Sequence, residues 1–407
     1  MKILVLTMQF PHFPAPGGQT RQFYLLKEAA KEHEITLLTL SPPPSEAALS
    51  ELKGFVKEVI VLKGKYPHPT APNSAALPFS SLFRELLDKE PFEIRKWRTR
   101  REIPEYLAQI DEQQFDLIQV EHSELAHWIE GFFPNTPKIL ILHNVNYLIY
   151  KRFFDITSWG KEKVWALAQW LNMKKYEASL AGNFDKFISM SDNDRRLFLE
   201  IAPVADVDVV PNGVDTDYFF PGEDDNEESA LVYTGYMGWK PSIDAVVTFC
   251  RDIFPALRRT YPDLKFYIVG KDPSEEVKAL AQDENVIVTG FVEDVRPYVR
   301  RSKLVVVPLR VGGGTRLKIL EAMSMGKAVV STSVGAEGLR VNNGEDIFLA
   351  DSNQTIIEKC KMVLGDQALR RTMGEKARIN AALNYSWSHI GVSLLDAYHQ
   401  LESGKNK

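Results

Sequence analysis

One stretch of the chain combines glycines and cations at a spacing that suits the binding of a phosphate group. Gly312, Gly313 and Gly314 follow a β-branched apolar run, and Arg316 and Lys318 come shortly after them. Glycines let a backbone approach a ligand closely. A guanidinium can bind two phosphate oxygens at once, which makes Arg316 the first choice for that contact. The stretch therefore predicts a site for a phosphate or diphosphate.

A helix is expected to begin directly after these glycines. Thr315 is of a residue type that caps helices, and the dipole and free amides of a helix N-terminus attract anions. Glu321 follows within about two turns. A carboxylate at that distance can accept hydrogen bonds from sugar hydroxyls, as the acidic residue of dinucleotide-binding folds does. Together with the loop, this pattern indicates the binding of a nucleotide sugar.

Polar side chains also follow two predicted strands of the first half of the chain. Glu121 and His122 come after the strand predicted over 115–120, and His143 comes after the strand predicted over 138–142. Parallel sheets present their functional residues at the carboxyl ends of strands. We therefore predict that His143 contacts a reacting sugar, with Glu121 and His122 behind it. The alternatives are a hydrogen-bonded structural histidine and a carboxylate that caps a helix.

Two further loops at predicted strand ends carry candidate residues. Gly17, Gly18 and Arg21 follow the first strand, at the edge where open α/β sheets bind ligands. Lys240 lies in a glycine-rich loop at the start of the second half and could face the same anion as Arg316. A structural turn is the alternative for the glycines, and a solvated surface position is the alternative for both cations.

Length and the order of patterns predict an α/β chain with two doubly wound domains. At 407 residues the chain exceeds one compact core, so two domains of roughly 200 residues each are expected. An acidic segment without apolar residues at 222–229 fits an exposed junction. We predict a first domain over 1–220 and a second over 221–385. The final helix, over 386–407, is expected to pack back on the first domain.

Composition excludes several classes of partner and compartment. The formal net charge of −5 gives no overall attraction to nucleic acid. Cys250 and Cys360 have no metal-binding spacing and suit a reducing compartment. No run approaches the ~18 apolar residues that a membrane span needs. A cytoplasmic protein is expected.

A basic run raises the prospect of peripheral contact with the inner face of a membrane. Residues Arg95–Arg101 place five cations around Trp97. Such a composition attracts an anionic membrane surface or a phosphorylated acceptor. The alternative is a solvated helix face.

The chain resembles the family-4 glycosyltransferases of the GT-B fold over nearly its whole length. The motifs that carry the resemblance stand in the family's order: Gly17-Gly18-x-x-Arg21, Val209-Val-Pro-Asn-Gly-Val-Asp215, Gly290-Phe-Val-Glu-Asp294 and Leu320-Glu-Ala-Met-x-x-Gly326. The resemblance implies two Rossmann-like domains that face a cleft, with the nucleotide-sugar donor on the C-terminal domain and the acceptor on the N-terminal one. It also implies transfer with retention of anomeric configuration and no metal or other cofactor. The acceptor would be a glycan, a lipid-linked molecule or a small molecule.

The resemblance also assigns roles to residues. By analogy, Glu321 would hold the ribose hydroxyls, the loop over 314–317 would hold the diphosphate, and His143 would contact a hydroxyl of the donor sugar. The loop at Gly17 and Gly18 would close against the phosphates.

The base of the nucleotide would lie near the loop after Gly290. Phe291 and Val292 are the residues expected to border it. Nothing in this loop discriminates uracil from guanine or adenine.

Two departures from the family pattern bear on the donor site. The family carries an acidic residue eight positions before Glu321, where this chain has Gly313, and an Arg where this chain has Tyr236. Neutralisation of the diphosphate is therefore expected to shift to Arg316 and Lys318. The alternatives within this architecture are a nucleotide-sugar epimerase or a phosphorylase. A further alternative, which Gly313 favours, is a non-catalytic nucleotide-sugar-binding subunit.

Overall fold

The chain forms two compact units in a computed structural model. The structure describes residues 1–15, 17–62, 88, 90–98, 102–222, 227–312 and 315–404. One unit comprises Met1–Pro211 together with Gly391–Lys407, and the other comprises Asn212–Ile390.

The division between the units falls at residue 211, before the boundary predicted near residue 220. Residues just after Asn212 are bound within the second unit. The backbone N–H of Val214 donates to the carbonyl of Tyr385 over 2.7 Å, and the Ser324 hydroxyl donates to the carbonyl of Phe219 over 2.5 Å. The turn that precedes the acidic segment therefore belongs to the second unit.

Within its described residues, the first unit contains a sheet of seven parallel strands in the order β3-β2-β1-β4-β5-β6-β7. The central strands consist mainly of Leu, Ile and Val and are buried on both faces, as strands covered by helices on each side must be; β4 also carries the buried Gln119 and Glu121. The strands are β1 (Lys2–Thr7), β2 (Glu34–Thr39), β3 (Glu58–Val61), β4 (Leu117–Glu121), β5 (Lys138–Leu142), β6 (Lys186–Ser189) and β7 (Val207–Val209).

Helices connect these strands. Ser45 and Ser191 cap two of them by accepting a backbone N–H three residues on. The helices are α1 (Gly17–Ala29), α2 (Glu46–Lys53), α3 (Phe92–Arg98), α4 (Glu102–Leu107), α5 (Asn146–Ile156), α6 (Lys161–Ser179) and α7 (Asp192–Leu199). Short 3-10 segments cover Glu112–Gln114, Ser123–Ile129 and Leu180–Gly182.

The second unit contains a parallel sheet in the order β10-β9-β8-β11-β12-β13, again for the described residues. Its strands are β8 (Glu228–Thr234), β9 (Lys265–Val269), β10 (Val286–Gly290), β11 (Ser302–Val307), β12 (Val329–Ser331) and β13 (Phe348–Leu349). Its helices are α8 (Lys240–Thr248), α9 (Phe254–Arg258), α10 (Glu275–Ala279), α11 (Arg296–Arg301), α12 (Leu317–Ser324), α13 (Asn353–Gly365), α14 (Gln367–Tyr385) and α15 (Trp387–Gly404).

The start of α1 differs from the sequence-based expectation. α1 begins at Gly17, so Gly17 and Gly18 form its first turn instead of the expected loop after the first strand. The Thr20 hydroxyl donates to the carbonyl of Ala15 over 2.8 Å, which ties the chain before the helix to its first turn. After α8 the chain continues through a π-helical turn at Phe249–Ile253 into α9.

α15 begins in the second unit, and from Gly391 onward it belongs to the first. A Cβ on Gly391 would lie 2.6 Å from the Cβ of Glu28, so α15 approaches α1 closely at this point. None of the helices in the described part of the chain is long and apolar enough to span a bilayer.

Each sheet has one point at which its strand order reverses. In the first sheet, β2 and β3 extend from β1 to one side and β4 lies on the other side of β1. In the second sheet, β9 and β10 extend from β8 to one side and β11 lies on the other side of β8. Open α/β sheets bind ligands at the carboxyl ends of the strands that flank such a point. We call the point between β1 and β4 the first switch point and the point between β8 and β11 the second.

Candidate active site

His143 and Glu121 form a close pair beside the first switch point. Glu121 is the last residue of β4, and His143 directly follows β5, the next strand in the sheet. His143 Nε2 lies 2.5 Å from Glu121 Oε2, and the two side chains are only 7% and 5% exposed. The other ring nitrogen, Nδ1, lies 3.9 Å from the place that a Cβ on Gly18 would take. The histidine and the carboxylate that were expected at neighbouring strand ends therefore lie together.

A chain of buried hydrogen bonds continues from Glu121 to α15. The Gln119 amide donates to Glu121 Oε1 over 2.6 Å, and the Tyr398 hydroxyl of α15 donates to Gln119 Oε1. Gln119 and Tyr398 are both almost fully buried. We call Tyr398, Gln119, Glu121 and His143 the hydrogen-bond chain of the first unit. Each member restricts the orientation of the next, since a buried polar group has few alternative partners.

His122 stacks on His143. The two ring centroids are 3.8 Å apart and the ring planes differ by 18°. His122 has a φ of 79°, an uncommon conformation for a residue with a side chain. Its Nε2 lies 3.4 Å from the amide nitrogen of Gln22, whose oxygen accepts from the Thr7 hydroxyl over 2.7 Å. These contacts hold the ring of His122 against that of His143.

Burial keeps both histidines neutral near pH 7. Burial, and then the positive charge of Arg21, lowers the pKa of His143 to about 3. The pKa of His122 also lies well below its usual value because of burial and the neighbouring His143. Burial raises the pKa of Glu121, against the effects of His122, Arg21 and Gln119. His143 is therefore suited to act as a neutral hydrogen-bonding group, and not as a cation.

Glu177 on α6 fixes the start of the helix that follows His143. Its carboxylate accepts the backbone N–H groups of Asn146 and Tyr147 over 2.9 and 3.0 Å, in place of a capping side chain at Val145. Burial raises the pKa of Glu177 to about 8. No local sequence signal indicates this role, because the two N–H groups lie 31 and 30 residues before Glu177.

Arg21 occupies a structural position. It is 1% exposed, and its guanidinium donates to the carbonyls of Pro211 and Val210 over 2.5 and 2.7 Å. Burial lowers its pKa to about 10, against the effect of Glu121. The structure brings Gly18 near His143, whereas it directs Arg21 to the backbone at the end of the first unit.

In the second unit, Arg316 and Lys318 border the second switch point. Arg316 is buried, and its Nη2 would lie 2.5 Å from a Cβ on Gly312, while its guanidinium lies 5.9 Å from the Trp239 ring. Lys318 Nζ lies 3.9 Å from the centre of the Tyr233 ring, at the end of β8. The two cations therefore reach the loops after β11 and β8, respectively. Gly313 and Gly314 lie outside the described residues.

The start of α12 differs from the expectation at Thr315. The N-cap residue is Arg316, with no side-chain cap, and α12 begins at Leu317. The Thr315 hydroxyl instead accepts from the Asn212 amide over 2.5 Å. The cap prediction for Thr315 is therefore wrong, because Asn212 already engages its oxygen.

Glu321 lies one turn after Lys318 on the same helix and is partly exposed. Burial raises its pKa to about 7, and the charge of Lys318 opposes that rise. A carboxyl group with this pKa changes its charge near neutral pH. Glu321 can therefore accept hydrogen bonds from hydroxyl groups more strongly as the pH rises.

The backbone at this edge of the second sheet is closely packed. A Cβ on Gly270, after β9, would lie 1.6 Å from the carbonyl oxygen of Gly235, after β8. Only glycine fits at position 270 without a backbone shift. The loops that border the second switch point are thus held together by backbone contact.

The remaining donor-side candidates lie on exposed loops of the second unit. Lys240 is exposed at the first position of α8, and Tyr236 is 47% exposed in the loop before it. Phe291 and Val292 follow β10 at the edge of the sheet, two strands away from β8, and Phe291 is 71% exposed. The structure therefore places Lys240 beside the second switch point, and Phe291 and Val292 at the edge of the sheet.

The basic run in the first unit is paired with carboxylates. Among its described residues, Arg95 pairs with Asp88, Lys96 with Glu93 at 3.7 Å, and Arg98 with Glu90 at 2.8 Å. Trp97 is 4% exposed. Arg100 and Arg101 lie outside the described residues. The described part of the run thus presents neither an exposed aromatic ring nor unneutralised charge to a membrane.

One group of side chains in the described part of the chain could hold a metal ion, formed by Glu32, His33 and His399. It lies before β2, at the amino end of that strand, whereas His143 lies at the carboxyl edge of the sheet. The absence of a metal from the reaction stays a prediction from the resemblance.

Two family models match the chain. The model described as Glycosyltransferase Family 4 matches residues 91–218, and the model described as Glycosyl transferases group 1 matches residues 228–366. The first range contains Glu121 and His143, and the second contains Arg316, Lys318 and Glu321.

Two curated proteins and one solved structure illustrate the similarity. An uncharacterized 44.6 kDa protein in the cps region of Klebsiella pneumoniae is 24% identical over 53% of this chain and 56% of its own length. The alpha-maltose-1-phosphate synthase of Mycolicibacterium smegmatis is 24% identical over 69% of this chain and 78% of its own length. Anabaena Alr3699/HepE in complex with UDP and glucose superposes with a TM-score of 0.70 at 16% identity, over 98% of this chain and 99% of the other.

Proposed function

Because the chain belongs to the group 1, family-4 glycosyltransferases and has their GT-B fold, we propose that it transfers a sugar from a nucleotide-diphosphate sugar to an acceptor with retention of anomeric configuration. The observation that carries this proposal is the cluster at the second switch point. Arg316 and Lys318 supply positive charge there, and Glu321 supplies a hydroxyl acceptor one turn away.

The second unit binds the nucleotide part of the donor. The diphosphate contacts Arg316 and Lys318, because two cations beside the start of α12 compensate its charge. Glu321 accepts hydrogen bonds from the ribose hydroxyls. A Cβ on Gly312 would crowd Arg316, so glycine at this position leaves the guanidinium in place.

In the first unit, His143 binds a sugar hydroxyl. Its ring is neutral near pH 7. With Glu121 ionised, His143 carries its proton on Nε2, and this N–H donates a hydrogen bond to the carboxylate. The lone pair on Nδ1 can then accept a hydrogen bond from a sugar hydroxyl. Glu121 thus acts as a positioning residue that sets the tautomer, and the stacked His122 limits rotation of the ring.

The reaction exchanges one bond at the anomeric carbon for another. The bond from that carbon to the donor phosphate oxygen breaks, and a bond to the acceptor hydroxyl oxygen forms on the same face. The acceptor proton passes to the departing diphosphate. Arg316 and Lys318 stabilise the negative charge that develops on the leaving group, which fixed charges do better than mobile water. No protein nucleophile or metal is required in this scheme.

The relatives support a nucleotide-sugar substrate. The Mycolicibacterium protein is by name a sugar-phosphate synthase, and the Anabaena structure contains UDP and glucose. The acceptor class stays open among a glycan, a lipid-linked molecule and a small molecule.

The test begins with a thermal-shift screen of UDP, GDP and ADP and their common sugars. A ligand that binds only the folded protein raises the unfolding temperature. The donor identified in this way is then incubated without acceptor, and slow release of the nucleoside diphosphate is expected. NMR of the glycosylated product is expected to show the anomeric configuration of the donor.

Other outcomes distinguish the alternatives. Binding without any hydrolysis or transfer would favour a non-catalytic subunit, as Gly313 suggests. Epimerised donor in the absence of acceptor would favour an epimerase. Failure of every nucleotide to raise the unfolding temperature would refute the proposed site.

A further inference from the structure

The helical hairpin formed by α5 and α6 presents apolar side chains at its exposed end. We call residues 156–160, which join the two helices, the hairpin tip. Trp159 is 83% exposed and Ile156 is 62% exposed. Burying a Trp ring removes a large apolar area from water, so an exposed Trp beside an exposed Ile marks an interaction surface.

Basic residues outnumber acidic ones in the segment that contains the hairpin tip, although Lys151 pairs with Asp155 over 2.7 Å. Residues 149–163 contain four basic and two acidic side chains, whereas the whole chain has a net charge of −5. The segment therefore carries local positive charge on an acidic protein. The basic residues are Lys151, Arg152, Lys161 and Lys163.

The hairpin tip is held in one conformation by its own contacts. Lys163 Nζ donates to the carbonyl of Thr157 over 3.0 Å and lies 4.6 Å from the Phe154 ring and 5.2 Å from the Trp159 ring. The Thr157 hydroxyl donates to the carbonyl of Phe153 over 2.7 Å. Because these contacts fix the turn, Trp159 is presented to solvent as part of an ordered structure.

We propose that the hairpin tip docks the protein on an anionic lipid surface, with Trp159 and Ile156 in the interfacial layer and the surrounding cations against lipid phosphates. Trp is the residue type that favours this layer, because its ring is apolar and its N–H is polar. Basic side chains add attraction to negatively charged headgroups. The described part of the Arg95–Arg101 run lacks this combination, since Trp97 is buried.

The experiment compares the full chain with two matched variants. The tip variant carries Ile156→Ser and Trp159→Ser. The control variant carries Ile379→Ser and Leu383→Ser, which alter two apolar side chains of α14 that are 59% and 65% exposed. Each protein is co-sedimented with vesicles of phosphatidylcholine alone and with vesicles of equal parts phosphatidylcholine and phosphatidylglycerol.

The wild type and the control variant are expected to sediment with the anionic vesicles. The affinity of the tip variant for these vesicles is expected to be lower by roughly tenfold. Binding to neutral vesicles is expected to be weaker for all proteins. A charge variant with Lys151→Gln, Arg152→Gln and Lys161→Gln is expected to lose the preference for anionic vesicles. Thermal unfolding of each variant verifies that it is folded.

Three results would overturn the proposal. The first is failure of the wild type to bind anionic vesicles, and the second is equal binding by wild type and tip variant. The third is a change of oligomeric state in the tip variant without a change in vesicle binding, because that would make the hairpin tip a contact between copies of the chain. None of these readouts depends on glycosyl transfer.

Discussion

The two switch points have the same topology and opposite chemical character. The first is bordered by Glu121 and His122, which lie in a buried cluster with His143. The second is bordered by glycine-rich backbone and the cations Arg316 and Lys318. One edge is occupied by hydrogen bonds between the protein's own side chains, while the other carries two cations. The strand order thus determines where a site lies, and the side chains determine what it binds.

The largest effect is expected for substitutions at the second switch point. Replacing Glu321 with Ala, or Arg316 with Ala, is expected to weaken nucleotide-sugar binding by roughly 100-fold, because each removes a charge-assisted hydrogen bond. Calorimetric titration with the identified donor measures the change. The matched control is Arg371→Ala, at an exposed position of α14, which is expected to leave the affinity unchanged. Unaltered binding in both site variants would contradict the assignment.

A smaller effect is expected at the first switch point. Glu121→Gln keeps the shape of the side chain, but its amide can donate to His143 Nε2 and so favour the other ring tautomer. We expect kcat to fall by roughly thirtyfold, with little change in KM for the donor. Nitrogen-15 NMR of the histidine ring, measured without substrate, reports the tautomer independently of activity. An unchanged tautomer together with unchanged kcat would remove Glu121 from the site.

The pH dependence of binding sharpens the contrast between the two carboxyl groups. Glu321 has a pKa of about 7 in the free protein, so it is mainly protonated at pH 6 and mainly ionised at pH 8. Because the ionised form accepts hydroxyl protons better, nucleotide affinity is expected to rise about tenfold between these pH values. In Glu321→Gln this rise is expected to disappear. Calorimetry at both pH values, in buffers of equal ionic strength, checks the prediction.

The smallest effect is expected at the far end of the hydrogen-bond chain of the first unit. Tyr398→Phe removes the hydroxyl that donates to Gln119 and leaves a buried oxygen without that donor. The free energy of unfolding is expected to fall by about 1 kcal/mol. A several-fold loss of kcat without a change in KM is expected if the chain orients His143. Denaturant titration and steady-state kinetics separate the two effects, and kinetics identical to the wild type would limit Tyr398 to a structural role.

The positions at strand ends could be predicted from the sequence, because apolar runs mark strands and polar residues follow them. His143 and Glu121 are predicted in this way, and Arg316 and Lys318 from the glycine loop that follows a strand. The structure places each at the carboxyl edge of its own sheet. The helix start at Gly17 was missed because glycine is a poor local signal for a helix.

Long-range partners could not be predicted from the sequence. Tyr398 bonds a residue 279 positions away, and nothing local to either residue indicates the contact. Likewise, the charge of the Arg95–Arg101 run could be counted, but its pairing with Asp88 and Glu90 depends on how the chain folds. The capping role of Glu177 arises from a separation of 31 residues.

The path of α15 has a consequence for synthesis of the protein on the ribosome. Synthesis of the first unit starts before that of the second, yet its segment Gly391–Lys407 is translated only after the whole of the second unit. Lys186, a buried residue at the start of β6, and Gln119 each bond to a side chain of that segment, Gln400 and Tyr398 respectively. Domains usually fold in order as they emerge. Here the second unit can complete its fold while the first still lacks a helix, so the unit whose synthesis starts earlier is completed after the other.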